Sequence, residues 1–256
     1  MTPSPFATPG PVVITAATGS FPGLADRLRE LPAAVEEIPL LAFAPPADWA
    51  PVDEAVRELG RYQAIAFTSP RAAAAFAGRL GEADRHALPP TWAGGRGTAA
   101  ALASVVPTVR TAAEDETGRL GAAAALAAAM LDARVVGPVL FPCGEIRRDE
   151  LPTRLRQEGI EVDEVVCYRA VIADDEAARS ALRHAAILVV ASPSVAELVA
   201  RVSAPTPRPL LLAVGPTTAA AARAAGWAPA AVAPRPDVES LLDTVRSMLT
   251  AVGAMR

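Results

Sequence analysis

Twice along this chain a short apolar run ends in Ser-Pro and passes directly into a helix. The first copy is "AIAFTSPRAAAAF" (residues 64–76) and the second is "ILVVASPSVAELV" (residues 187–199). Four to six apolar residues closed by a turn signal fit a strand buried on both faces. Proline suits the first turn of a helix, where its missing N–H costs nothing. Each copy is followed by a second junction with the pattern Gly-x-x-Thr-Ala, Gly95 to Ala99 and Gly215 to Ala219. Two units with the same strand, junction and helix order point to a duplicated parallel α/β fold.

The rest of the chain keeps this rhythm. "VVITAA" (12–17) is a strand, and "GLADRLREL" (23–31) is a helix that stops before Pro32. "PVDEAVRELG" (51–60) is a helix with proline at its start, "VVPTV" (105–109) a short strand and "GRLGAAAALAAAML" (118–131) a helix. "VVGPVLFPCGE" (135–145) supplies a strand and loop. "RRDELPTRLRQEG" (147–159) reads as a helix whose Pro152 is tolerable in the first turn. Two segments depart from the rhythm. "AVEEIPLLAF" (34–43) is broken by Pro39, and "VDEVVCYRAVI" (162–172) is long and alternating. Both read as extended edges or connectors rather than central strands.

Composition excludes several chemistries. The chain of 256 residues is 52% hydrophobic but only 4% aromatic, which favours alanine-rich helices on buried strands. The net charge of −4 offers no basic face for nucleic acid. No lysine occurs, so a P-loop lysine and Schiff-base chemistry are absent. The two histidines, His86 and His184, fall beside expected helix ends, away from any metal or triad pattern. Cys143 and Cys167 lack CxxC spacing, and two thiols in so long a chain indicate a reducing cytoplasm. The opening "MTPSPFATPGP" reads as a disordered lead without signal-peptide character, and no apolar run is long enough to span a bilayer.

Function should gather where strands hand over to helices. A helix start presents unpaired N–H groups and the positive end of its dipole, so these junctions favour anions. Thr68-Ser69-Pro70, Gly95 to Thr98, Ser192-Pro193-Ser194 and Gly215-Pro216-Thr217-Thr218 share this design, with hydroxyls as orientable donors. Plain helix capping is the competing reading at each one. "GRGTAA" (95–100) also satisfies the loose dinucleotide pattern Gly-x-Gly-x-x-Ala, but no acidic partner stands at the end of the next strand. A fifth junction, "FPCGEIRRDEL" (141–151), carries Gly144 with Arg147 and Arg148. These arginines either hold an anion or pair with Asp149 and Glu150. Cys143 reads as a small buried residue. Tyr168, in the second extended segment, would be a core or edge residue by periodicity alone.

At "FTSPRAAAAF", "LFPCGEIRRDELPTRLRQEGIEVDEVVCYRAV", "ASPSVAEL" and "AVGPTTAAAARAAG" the chain resembles the uroporphyrinogen-III synthase family. The ordered set spans both halves. The resemblance implies two similar parallel-sheet α/β domains with flanking helices. Residues 1–37 with 173–256 would form one domain and 48–163 the other, joined by extended connectors at 38–47 and 164–172 that give a hinge. It implies a cofactor-free cyclising lyase. Hydroxymethylbilane, a linear tetrapyrrole with acetate and propionate arms, loses its terminal hydroxyl and closes with inversion of ring D to uroporphyrinogen III. Positional control is then the main catalytic task, and help to the departing hydroxide is second.

By the same resemblance Tyr168 matches the family's connector tyrosine, which would assist the leaving hydroxyl. Thr98, Ser192, Thr217 and Thr218 match family positions around the cleft. Thr15, Thr68, Ser69, Gly144, Ser194 and Gly215 complete the expected substrate contacts, and Arg71, Arg147 and Arg148 are added as carboxylate partners. A monomer that receives substrate from hydroxymethylbilane synthase is expected. One departure stands out. Where the family often has Thr-Arg after the first strand, this chain has Thr15-Ala16. A specialised homologue, or a two-domain protein that binds another polyanion, is the alternative.

Overall fold

The structure is a computed structural model that describes residues 10–106, 108–112, 122–147, 149–203 and 208–254. In chain order, β1 (Val12–Ile14), α1 (Leu24–Arg29), β2 (Val35–Glu37) and β3 (Leu41–Ala44) come first. They are followed by α2 (Ala50–Arg57), a 3-10 turn (Leu59–Arg61), β4 (Ala64–Phe67), α3 (Pro70–Ala77), α4 (Glu82–His86) and β5 (Thr91–Ala93). Next are α5 (Arg96–Leu102), β6 (Val109–Thr111), α6 (Ala122–Asp132), β7 (Val139–Gly144), α7 (Glu150–Gln157) and β8 (Val162–Ile172). The chain ends with α8 (Asp175–His184), β9 (Ile187–Val190), α9 (Pro193–Val202), β10 (Leu210–Val214), α10 (Pro216–Ala224), β11 (Ala231–Ala233) and α11 (Val238–Ala254).

These elements divide into two compact units. Residues up to Ala42 and from Val171 onward form unit 1, and Phe43–Ala170 form unit 2. The boundaries fall inside β3 and β8, which are neighbours in one sheet.

The sheet of unit 1 has the order β11-β10-β9-β1-β2, all parallel. Its strands are buried on both faces. Val12, Ile14, Val189 and Leu212 pack under α1 and α11, while Val13, Leu188, Val190 and Leu211 pack under α8, α9 and α10. This two-sided burial is why these strands read as continuous apolar runs rather than alternating ones.

The sheet of unit 2 has the order β3-β8-β7-β4-β5-β6. Every β7–β8, β4–β7, β4–β5 and β5–β6 pairing is parallel. Phe67, Phe76, Leu102 and Cys167 share one core layer, and Trp92, Leu126, Phe141 and Leu155 the other. Read as β6-β5-β4-β7-β8, its layout repeats β11-β10-β9-β1-β2 strand for strand, so the duplication expected from the junction patterns is present in the topology.

That layout fixes where ligands belong. From β9 the chain runs outward to β10 and β11, and from β1 it runs the other way to β2. The strand order therefore reverses between β1 and β9, and in unit 2 between β7 and β4. In open parallel sheets, binding crevices lie beyond the carboxyl ends of the strands at such reversals.

Local differences from the sequence expectation have physical causes. "VDEVVCYRAVI" is not an edge or a mere connector, since as β8 it stands between β3 and β7, whereas "AVEEIPLLAF" does lie at sheet edges. The latter breaks around Pro39 into β2, the edge of one sheet, and β3, the edge of the other. The expected strand at residues 105–109 begins only at Val109, because the N–H groups of Val105 and Val106 both turn back to the Leu102 carbonyl, each at 2.9 Å. The helix expected from Arg147 starts at Glu150, with Pro152 buried in its first turn. The segment before Gly95, open to a strand or a loop by sequence, is the three-residue strand β5, and the three-residue strand β11 has no counterpart in the sequence expectation. His86 and His184 do stand in the last turns of α4 and α8. The N-terminal lead, Pro107 and the beginning of the 118–131 helix lie outside the described residues.

Candidate active site

The reversal point of unit 2 carries the richest chemistry. β4 delivers Thr68 and Ser69 to its carboxyl end, and β7 ends at Gly144 beside it. β8 pairs with β7 through an irregularity at Cys143/Gly144, where the pairing passes from Cys143↔Val166 to Gly144↔Tyr168. The extra residue, Cys167, bulges the strand, and bulges re-aim side chains at functional edges. Here the bulge brings the Tyr168 ring over Gly144. A Cβ on residue 144 would lie 2.6 Å from Tyr168 Cζ and 2.8 Å from its hydroxyl oxygen. Gly144 is thus the empty space the phenol occupies.

The phenol is held on its other sides as well. Tyr168 Oη lies 3.3 Å from Ser69 Oγ, and Ser69 Oγ accepts the Ala72 N–H at the start of α3, at 3.4 Å. If Ser69 donates to Tyr168, the phenolic proton remains free to point outward, and the chain from helix N–H to hydroxyl to phenol polarises cooperatively. Phe43 packs edge-on against Tyr168 with centroids 5.6 Å apart. The Arg71 guanidinium sits 3.5 Å above the Phe43 ring centre and 5.7 Å from that of Tyr168. Among the described residues Arg71 has no carboxylate partner. The structure therefore brings Ser69, Arg71, Gly144 and Tyr168 together, with half-buried Thr68 adjacent in sequence.

The other arginines of the set fare differently. Arg147 is paired with Glu164 through Nε and Nη2, and Arg156 holds the other Glu164 oxygen at 2.9 Å. Burial works against the Arg147 charge, but the Glu164 hydrogen bond and the surrounding negative charge outweigh it, so its pKa is raised. Its charge is balanced inside the protein. Arg148 lies outside the described residues. Burial pushes the Cys143 thiol up to about 11 and Cys167 up to about 12, so neither is a nucleophile at neutral pH.

Thr98 is buried at the third position of α5, after Gly95. Its strand, β5, stands one place away from the reversal point, so the Gly95 loop flanks the crevice rather than forming it. Gly95 has an extended backbone (φ 171°), and Gly97 approaches Pro70, with a Cβ there 3.8 Å from the proline ring.

Unit 1 repeats the frame with other contents. Ser192 caps the start of α9 without a side-chain cap bond, and Ser194 is exposed in the first turn. Gly215 adopts φ 84°, ψ 168°, a conformation open essentially to glycine alone. Thr217 is exposed and Thr218 is buried, at the same helix position as Thr98. The Thr15 hydroxyl donates to the Val189 carbonyl at 2.8 Å, which ties β1 to β9 inside the core. Ala16, in place of the arginine the resemblance leads one to expect, is buried.

Sequence reasoning overlooked Phe43, Trp49 and Arg79, which line a groove beside Tyr168. The helical spacing of Arg71, Ala75 and Arg79 could have revealed that Arg79, just past the end of α3, continues the face that carries Arg71 and Ala75.

Known proteins share both the sequence pattern and the fold. The chain matches the family model described as uroporphyrinogen-III synthase HemD over residues 23–243. Among solved structures it is similar to uroporphyrinogen-III synthetase from Helicobacter pylori 26695, with 17% identity, a TM-score of 0.62 and coverage of 93% of this chain and 99% of that one. It is also similar to a mutant uroporphyrinogen III synthase from the extremely thermophilic bacterium Thermus thermophilus, with 17% identity, a TM-score of 0.58 and coverage of 94% and 99%. At that identity these structures attest the fold. A search of curated proteins gives no match. The family model covers most of the chain, and the chain belongs to the uroporphyrinogen-III synthase family.

Proposed function

We propose that Tyr168, backed by Ser69 and Arg71, assists departure of hydroxide from hydroxymethylbilane in this family's cyclisation. The enzyme is a lyase of tetrapyrrole biosynthesis that closes the linear tetrapyrrole to uroporphyrinogen III with inversion of ring D and loss of water. The terminal C–O bond breaks and the oxygen leaves as water after taking up a proton. The pyrrole N–H gives up the balancing proton as the azafulvene forms. The substituted carbon of ring D then attacks the azafulvene, and fragmentation and reclosure set the inverted isomer.

The observation that carries this reading is the arrangement around Gly144. The phenol oxygen lies 3.3 Å from Ser69 Oγ with a cation nearby, and with Ser69 as the donor of that bond the phenolic proton can reach a leaving oxygen. A phenolic O–H is a hydrogen-bond donor. The hydroxyl and glycine junctions of the two units, Thr68, Thr98, Ser192, Ser194, Gly215, Thr217 and Thr218, bind acetate and propionate arms and so hold the chain in the ring-D-inverting geometry. Arg147 serves this end only by exchanging Glu164 for a substrate carboxylate.

A monomer that takes its substrate from hydroxymethylbilane synthase fits this reading, as does a reducing cytoplasm, given two free, buried thiols. No helix among the described residues is long and apolar enough to cross a membrane. The decisive test is to incubate the protein with freshly generated hydroxymethylbilane, oxidise the products and separate the isomers. The type III isomer is expected. Type I alone, as in an enzyme-free control, overturns the reading.

A further inference from the structure

The groove beside Tyr168 lies wholly within unit 2 and has a volume of about 440 Å³. Its floor is one face of α3, where Ala74, Ala75 and Gly78 leave the helix flat. Its walls are aromatic, with Phe43 and Tyr168 at one end and Trp49 at the other. A guanidinium covers a ring at each end, Arg71 at 3.5 Å above Phe43 and Arg79 at 5.1 Å above Trp49. The two cations are not equivalent. Asp53 clamps Arg79 through two bonds of 2.8 and 2.6 Å, which fixes its direction and leaves further N–H donors available. Arg71 has no carboxylate of its own among the described residues.

A flat small-residue floor, aromatic walls and a cation at each end suit a planar aromatic ring that carries anionic arms. The volume lies within the roughly 300–1,000 Å³ typical of small-molecule pockets. It suits one ring with its arms rather than a whole tetrapyrrole.

We propose that this groove seats a single pyrrole of the substrate, the end ring bearing the hydroxymethyl group. In this arrangement Arg71 binds one carboxylate arm, Arg79 steers the other, and the leaving oxygen faces Tyr168. The proposal rests on the synthase reading above and adds Trp49, Arg79 and the α3 floor as specificity-determining elements. It explains why α3 ends in a glycine that its backbone does not require. Gly78 has a helical φ of −68°, and a Cβ there would meet only ordinary contacts at 3.5 and 3.6 Å.

The test uses the full chain labelled with 15N and titrated with porphobilinogen, a monopyrrole with one acetate and one propionate arm. The expected result is a shift of the Trp49 indole N–H and of the Arg71 and Arg79 side-chain N–H signals, with Trp92 and Trp227 unmoved. Gly78→Leu and, independently, Ala74→Leu should fill the groove. Each should abolish those shifts and raise KM for hydroxymethylbilane about tenfold, the equivalent of one strong contact, with kcat held within about twofold. An unmoved Trp49 signal at saturating probe, or wild-type KM in both folded variants, overturns the subsite while type III production by the wild type leaves the enzymatic reading intact. Type I product alone from the wild type overturns that reading, and the identity of this subsite with it.

Discussion

The five strands β11-β10-β9-β1-β2 and the five strands β6-β5-β4-β7-β8 trace the same layout, yet their reversal points hold different things. In unit 1 the position between β1 and β9 is filled by Thr15, whose hydroxyl is spent on Val189, and by buried Ala16 and Ala17. In unit 2 the position between β7 and β4 holds a phenol, a serine and a cation around a glycine. Both tyrosines of the chain lie in unit 2. Under the function proposed above the two copies of the frame are unequal: unit 2 supplies the proton donor, and the N–H groups and hydroxyls of unit 1 bind carboxylate arms.

If that division of labour is right, the largest effect belongs to Tyr168→Phe. Its kcat for type III product should fall about 10²-fold, the lower end of general-acid contributions, with KM nearly unchanged. A loss confined to KM would reduce Tyr168 to positioning and erase the contrast between the units.

Next is a pair of glycines that do unlike jobs. Gly215→Ala in unit 1 forces alanine to φ 84° and should cost about 2 kcal/mol of stability. Gly95→Ala in unit 2, at φ 171°, should cost under about 1 kcal/mol. Urea unfolding midpoints measure both, and equal losses would show that the two loops are held alike. Gly144→Ala should instead strike catalysis. The added methyl group displaces the Tyr168 ring, and kcat should drop about tenfold by misplacing the donor. Ala17→Gly at the corresponding place in unit 1 should leave kcat unchanged in the same assay.

Smaller still is the contrast between the serines. Ser69 accepts the Ala72 N–H, so Ser69→Ala should lose about 1 kcal/mol of stability along with part of kcat. Ser192 makes no cap bond, so Ser192→Ala should stay within about 0.5 kcal/mol and act on KM alone.

The last prediction vanishes at neutral pH. The folded thiols sit at about 11 and 12, above an ordinary value of 9.0. Above pH 9 the unfolded chain releases protons that the folded chain retains. Stability therefore falls as pH rises from 9 and levels off once the folded thiols ionise near 11 to 12. Both cysteines are in unit 2, so the double variant Cys143→Ala, Cys167→Ala should lessen the loss of stability between pH 8 and pH 10 in urea unfolding. An undiminished loss would mean that other groups govern the alkaline response.

How far the site could be read from sequence depended on the kind of residue. Ser69 and Ser192 were legible because a helix start needs a cap and Pro at the next position marks it. Gly215 was legible because only glycine serves at that backbone angle. Gly144 was singled out, but its purpose was not visible, since the ring it accommodates comes from a strand more than twenty residues later. Arg147 read as either an anion ligand or a partner of Asp149 and Glu150; Asp149 does lie 3.8 Å away, but its main partner, Glu164, is remote in sequence and adjacent only across β7 and β8. Arg79 carried only the weak signal of its helical spacing from Arg71 and Ala75, and Trp49 carried none.

The sequence by itself determined the α/β class, the twofold repetition and the strand-to-helix junctions. Those follow from apolar run length, helix capping and glycine geometry, which act over a few residues. Only the tertiary structure decided which junctions lie at a reversal of strand order, and that Tyr168, Ser69 and Arg71 meet there. Strand order is set by pairing between segments far apart in the chain, and local residue preferences carry no record of it.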